Sequence, residues 1–192
     1  MVRTASTMLP LGAALPAFEL ADVTTGKSVC ENDVIGEKGL LVMFICRHCP
    51  YVIHIQDELS KLAVDFRNSG VGIVAISSND AENYPEDSPE KLAEMASDLS
   101  FAFPYLYDEA QTAAHSYRAA CTPDFFLFNN EKKLVYRGQF DSSRPGSAIP
   151  VTGEDLRKAL DNLCSEQPID TAQQPSLGCN IKWKPGNEPD FF

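Results

Sequence analysis

The chain has 192 residues, 44% of them hydrophobic and 22% charged, enough for one domain with a full hydrophobic core plus an extension. Sixteen basic residues against 27 acidic ones give a net charge of −11, an acidic balance that repels phosphate backbones and argues against nucleic-acid partners. The longest apolar run, Leu40 to Cys46, is too short to span a bilayer, which argues against a membrane protein.

Met8 to Leu20 is fairly apolar and follows Arg3, but Pro10 and Pro16 interrupt it, so it reads as mature protein rather than a leader. Ala17–Leu20 and Lys27–Val29, separated by Thr25-Gly26, read as a hairpin ahead of the main fold. Gly39 to Ile45 is continuously apolar, as in a central strand buried on both faces. From Pro50 to Asn68 the period becomes helical, with Val52, Ile55, Leu59, Leu62, Ala63 and Phe66 on one face and Gly70 as terminator. Val71–Ser77 is a second apolar strand, completing a parallel strand–helix–strand unit.

The acidic stretch Glu82–Glu90 reads as a solvated loop, with Tyr84 and Pro85 as a substrate rim. Ser88-Pro89 marks a helix start, and Leu92, Met95, Ala96 and Leu99 its inner face. A shorter helix is expected over Glu109–Tyr117. A hairpin of Phe125–Phe128 and Leu134–Arg137 follows, joined at Asn129-Asn130. Thr152 and Asp155 form a capping box before Leu156, Ala159, Leu160 and Leu163. After Ser165 the chain turns rich in Pro, Gln and Asn without periodicity. The expected division is therefore a domain over 1–164 and a tail over 165–192 packed on it.

Six cysteines include one close pair, Cys46-Arg47-His48-Cys49, followed by Pro50. The others are scattered, which favours a reducing compartment with one redox pair and a cytoplasmic location. The pair falls where a strand's C-terminal end meets a helix N-terminus. Unpaired amides and the helix dipole stabilise a thiolate there, the form that attacks a disulfide. Arg47 and His48 add positive charge beside Cys46. On this reasoning Cys46 is the more exposed and more acidic thiol. A pair two residues apart is also half of a zinc site, but no second close Cys/His pair accompanies it; Cys121, Cys179 and His54 are the loose candidates, so no metal is assigned. Pro50 stands where haem attachment needs histidine. Cys30 and Cys164 read as inert core residues, Cys121 and Cys179 as buried thiols with an accessory redox role as the alternative, and His54 and His115 as helix-surface residues.

At this point the chain resembles the thioredoxin-like superfamily, in its alkyl hydroperoxide reductase/thiol-specific antioxidant (AhpC/TSA, redoxin) branch. The resemblance rests on Leu15-Pro16-Ala17-Phe18-Glu19-Leu20 with Gly26-Lys27, on Phe44-Ile45-Cys46-Arg47-His48-Cys49-Pro50, and on Thr122-Pro123-Asp124-Phe125-Phe126-Leu127-Phe128. The ending Gly178-Cys179-Asn180-Ile181-Lys182-Trp183 resembles the tail of a subgroup of that branch. It implies an α/β thioredoxin-like fold: a mixed central sheet flanked by helices, an N-terminal hairpin and an extended C-terminal tail. It implies Cys46 as attacking and Cys49 as resolving cysteine, supported by Arg47, His48 and Pro50. Pro123 is implied to be a cis-proline, with the Thr122 backbone binding an extended substrate. The sequence departs from thioredoxins in two places. Ile45 replaces the Trp before the first cysteine, and Leu40 replaces a buried carboxylate, so His48 or water must move the proton.

The expected activity is thiol–disulfide exchange, with protein or small-molecule disulfide and thiol substrates, an external thiol reductant and no cofactor. Two alternatives stand: a peroxiredoxin-like thiol peroxidase using Cys49, which precedes Pro50, and a non-catalytic redox-sensing or zinc-binding module. In the peroxidase alignment the usual threonine position holds Cys46 and the arginine position falls at Pro123, leaving Arg47, Arg118 or Arg144 as substitutes.

Overall fold

A computed structural model describes residues 3–191. In chain order the elements are β1 (Arg3–Ala5), β2 (Glu19–Asp22), β3 (Ser28–Cys30), α1 (Glu31–Val34), β4 (Gly39–Phe44), α2 (Pro50–Phe66), β5 (Val71–Ser77), a 3-10 turn (Pro85–Asp87) and α3 (Pro89–Asp98). Then come β6 (Tyr105–Tyr107), α4 (Thr112–Tyr117), β7 (Cys121–Thr122), β8 (Asp124–Asn129), β9 (Leu134–Gly138), α5 (Glu154–Cys164) and β10 (Leu177–Asn180).

Seven strands form a mixed sheet in the order β3-β2-β6-β5-β4-β8-β9. β4 is parallel to β5 and antiparallel to β8, so the apolar run of 39–45 is indeed central. Its alternation serves two cores. Leu41, Met43 and Ile45 face the layer of α2, α3 and α5, whereas Leu40, Val42 and Phe44 face Phe18, Tyr117, Phe126 and Phe128. The two-sided burial explains why this strand is uniformly apolar rather than alternating. The mixed sheet with helices on both faces is the α/β architecture expected of a thioredoxin-like fold.

A second, three-stranded sheet has the order β1-β10-β7. Its middle strand comes from the tail, pairing with β1 on one side and β7 on the other. The tail therefore supplies a strand beside the Thr122-Pro123 turn. Of the proposed ranges 1–164 and 165–192, residues 1, 2 and 192 lie outside the described residues.

Local details refine the sequence reading. Ser88 caps α3, its side chain accepting from the Lys91 amide, with Pro89 at the first position. The helix expected over Glu109–Tyr117 begins only at Thr112, after Gln111 in a left-handed conformation. The cap of α5 is Gly153, φ 68°, not Thr152. Asp155 instead accepts a hydrogen bond from Gln139 at 2.6 Å. The β8–β9 connection is a turn over 130–133 rather than a two-residue one. Cys30 and Cys164 are half-buried rather than core residues.

Candidate active site

Pro50 opens α2 and Cys49 is its N-cap, so the redox motif occupies the loop between the end of β4 and the first turn of a 17-residue helix. The Cys49 carbonyl accepts the Val52 and Ile53 amides, both at 3.0 Å. The Tyr105 hydroxyl donates to the Ile45 carbonyl at 3.2 Å, fixing the strand's exit.

Across the loop, the Thr122-Pro123 peptide is cis, as the resemblance implies. Thr122 meets both sulfurs. Its hydroxyl lies 3.2 Å from Cys46 Sγ, and its carbonyl oxygen 3.1 Å from Cys49 Sγ. The edge of Thr122, however, is not open to a substrate: β10 pairs with it, Cys179 standing opposite Thr122.

The electrostatics reverse the expectation for the pair. Cys46 is 1% exposed and Cys49 0%, so neither presents its sulfur to solvent. Burial pushes the Cys46 thiol well up, and its hydrogen bond to Cys49 and the Asp87 carboxylate push the same way. Cys49 is lowered to about 5, chiefly by the hydrogen bond from Cys46; burial opposes this, while contacts with Cys179, Thr122 and the Val52 amide add to it. Contact with the Thr122 carbonyl belongs to the protonated thiol, because a thiolate has no proton to donate. The downward direction falls on Cys49, the helix cap, and the upward one on Cys46, the two sulfurs titrating as one pair.

The cations assigned to Cys46 explain part of this. Arg47 turns outward to Glu86 at 2.7 Å and Glu94 at 3.9 Å. His48 Nδ1 lies 2.6 Å from Asp87 Oδ2. Asp87 is the residue the sequence reading missed. It sits in the acidic stretch taken for a solvated loop, yet it is fully buried. Its Oδ1 accepts the backbone amides of Arg47 at 2.8 Å and His48 at 3.2 Å. Its Oδ2 accepts Asn79 Nδ2 at 2.7 Å. Burial alone would raise this carboxyl, but the His48 and Asn79 hydrogen bonds outweigh it and hold Asp87 below the usual carboxylate range. Asn79 Oδ1 in turn accepts the Lys182 amide at 2.8 Å, tying the tail to the redox loop. Tyr84, expected as a rim residue, stacks on His48 with ring centroids 5.8 Å apart.

Other candidates fall into place around this centre. Cys121 is buried and contacts the Pro123 carbonyl at 3.5 Å; burial raises it well above the ordinary thiol range. His54 contacts Ser143 at 3.1 Å and His115 contacts the Asn187 carbonyl at 2.8 Å, both away from the sulfurs' own hydrogen bonds. Donor atoms of Cys46, His48 and Asp87 lie within 4.8 Å of one another, three donors where structural zinc uses four. Arg144 is committed to the Asp141 and Ser143 carbonyls and to Gln139, and Arg118 lies over the Phe191 ring at 5.1 Å.

A sequence profile of the AhpC/TSA family matches residues 11–137. The chain belongs to the AhpC/TSA family. A search of curated proteins finds no match. Among solved structures, the chain is similar to an uncharacterized conserved protein from Geobacillus kaustophilus, with 53% identity over 97% of this chain and 98% of that one and a TM-score of 0.95. It is similar to a hypothetical protein from Sinorhizobium meliloti 1021, with 43% identity over 95% and 100% of the chains and a TM-score of 0.93. The peroxidoxin BcpB from Mycobacterium tuberculosis shares the fold at 19% identity over 81% and 96%, with a TM-score of 0.60. Family membership gives this chain a redox function, in a group whose thioredoxin-like members act on thiol substrates and reductants.

Proposed function

We propose that the chain is a thiol–disulfide oxidoreductase whose redox couple is Cys46–Cys49, with Cys49 carrying the thiolate. The observation that carries this reading is the shared seat of the two sulfurs. Each touches Thr122, at 3.2 and 3.1 Å, and Cys46 hydrogen-bonds Cys49. Two thiols two residues apart that share one contact residue are placed for exchange with each other.

In the cycle, the Cys49 thiolate attacks a substrate disulfide, forming a mixed disulfide and releasing one substrate thiolate. Cys46 then gives its proton to His48, and Asp87 stabilises the resulting imidazolium. Cys46 attacks Cys49 Sγ, the Cys46–Cys49 bond forms, and the second substrate thiolate leaves. An external thiol reductant restores the dithiol. Oxidation of a substrate dithiol is the same sequence reversed. His48 and Asp87 replace the proton-transfer group that Leu40 cannot supply.

The test is oxidation of the reduced chain in thiol redox buffers, with the linkage mapped by mass spectrometry. The Cys46–Cys49 disulfide is expected in the wild type. A mixed disulfide stalled on Cys49 is expected when a Cys46→Ser/Cys179→Ser double variant meets a disulfide substrate. A wild-type chain that forms no Cys46–Cys49 linkage sinks the reading.

A second reading, thiol peroxidase, is favoured by one observation: an acidic Cys49 caps α2 directly before Pro50. Against it, the usual donor threonine is replaced by Cys46, and Arg47, Arg118 and Arg144 are engaged elsewhere. Loss of preorganised donors typically costs about a hundredfold or more in rate. Stopped-flow oxidation by hydrogen peroxide, run beside exchange with a disulfide, separates the two readings. Peroxide reacting faster than the disulfide would favour the peroxidase.

A further inference from the structure

Three sulfurs converge at Thr122. β10 runs antiparallel to β7, with Cys179 opposite Thr122 and Asn180 opposite Cys121. Directly opposed residues project to the same face of a sheet, so Cys179 emerges beside the Thr122 side chain that holds Cys46. There the Cys179 thiol and Cys49 shift each other's acidity, Cys49 down and Cys179 up. Cys121, one residue before Thr122, projects to the other face and stays out of the cluster.

The placement is built rather than incidental. A Cβ on Gly178 would lie 2.0 Å from the Thr122 carbonyl oxygen, the atom that also meets Cys49. Only glycine lets β10 close to this depth, and the next residue delivers a sulfur. β1 holds the outer edge of β10, and beyond it the Lys182 amide binds Asn79, which holds Asp87. The tail is therefore anchored by the same network that orients His48.

We propose that Cys179 is a third redox thiol, and that a disulfide formed at Cys46–Cys49 passes within the chain to Cys49–Cys179. β10 then occupies, as a resident strand, the edge an extended disulfide substrate would take. The proposal rests on the Cys46–Cys49 couple proposed above. In the step, Cys179 loses its proton to solvent and its thiolate attacks Cys49 Sγ. The Cys49–Cys179 bond forms as the Cys46–Cys49 bond breaks. Cys46 leaves as a thiolate and takes up one proton. No net oxidation occurs, so no co-reactant is consumed.

The step is gated by the state of the couple. In the reduced protein, burial and the neighbouring Cys49 push the Cys179 thiol up to about 12, which keeps it protonated. Once Cys49 is tied in a disulfide, its negative charge is gone and its share of that opposition disappears, leaving burial alone. The Lys182 charge, which favours the Cys179 thiolate, remains.

The test uses the full chain, oxidised with a small excess of the azo oxidant diamide, alkylated, and mapped by mass spectrometry without reduction. The wild type is expected to yield both Cys46–Cys49 and Cys49–Cys179 peptides, Cys46→Ser only Cys49–Cys179, and Cys179→Ser only Cys46–Cys49. Gly178→Val keeps all three cysteines but wedges β10 off Thr122, and should cut the Cys49–Cys179 yield about tenfold or more while Cys46–Cys49 persists. Absence of the Cys49–Cys179 linkage from both wild type and Cys46→Ser, with Cys46–Cys49 present in the wild type, overturns the relay and leaves the couple standing. Absence of Cys46–Cys49 from the wild type overturns the couple and the relay together.

Discussion

Asp87 and Asp124 are both fully buried, yet their acidities are shifted in opposite directions. Asp87 receives two backbone amides, a histidine ring and an asparagine amide, and stays a carboxylate. At Asp124 the Ser6 side chain and the Ala120 and Phe125 amides compensate, but burial outweighs them. Asp124 Oδ2 accepts the Ala120 amide at 3.3 Å, its Oδ1 has no partner of good geometry, and burial raises the carboxyl to about 7. The thiols divide in the same way. Cys49 sits among donors at a helix start and is lowered to about 5, whereas Cys121 is pushed well up by burial and by Asp124. Burial alone moves both kinds of group toward neutrality, and directed donors reverse it. Around Asp87 and Cys49 the donors outweigh burial; around Asp124 and Cys121 burial wins.

The strongest way to break this contrast is to exchange one thiol of each kind. Cys49→Ser should abolish disulfide exchange, whereas Cys121→Ala should retain it within about threefold, because Cys121 only fills space. Equal losses in an insulin-reduction assay would erase the distinction.

A second experiment reads the contrast through pH. The folded Asp124 holds its proton up to about 7, against 3.8 for the ordinary carboxyl. Its contribution is present below pH 3.8 and is lost as pH rises through 7, on the order of 4 kcal/mol. Cys49 works the other way: folded near 5 against 9.0 for the ordinary thiol, it adds stability as pH rises from 5 to 9 and loses it as pH falls through 5. Between pH 5 and 7 the two slopes oppose. Urea unfolding across that window should show Asp124→Asn gaining stability with pH and Cys49→Ser losing it. Parallel curves for the two variants would contradict the assignment.

Asp87→Asn should cost about 3 kcal/mol, because it turns an acceptor at a buried junction into a donor facing other donors. The urea midpoint should fall with unchanged denaturant slope. Asp124→Asn should show no such loss at pH 8. The smallest effect is expected from Tyr84→Ala, which removes the ring stacked on His48 and should cost about 1 kcal/mol, seen as a few degrees in Tm for a chain of this size.

Much of this was legible before the structure. β4, α2, β5 and the Ser88 cap follow from local period and cap chemistry, and the Cys46/Cys49 and Thr122-Pro123 motifs located both halves of the site. Four strands were not legible: β1, β6, β7 and β10 have three, three, two and four residues, and pairing defines them rather than pattern. Asp87 was hidden by its neighbours, since an acidic run reads as solvated and nothing local marks which carboxylate turns inward. The order of acidity within the pair had a usable signal. Proline prefers the first helical position, so Pro50 places Cys49, not Cys46, at the cap. The charge of Arg47 points the other way, toward Cys46, and its pairing with Glu86 removes that pull.

Among the described residues the sheet β1-β10-β7 shares no ladder with the seven-stranded sheet. Its strands are short, and two of them come from residues near the ends of the described chain. Detaching β10 breaks a handful of backbone hydrogen bonds and withdraws Cys179 from one core, while the ladders of the seven-stranded sheet stay paired. Opening of the site is thus a sub-global event with its own free energy, set well below that of unfolding. A rise in temperature or denaturant that barely touches β4 and β5 can change how long the sulfurs stay covered. In hydrogen exchange, the amides of 177–180 should report that breathing while those of the central strands stay silent.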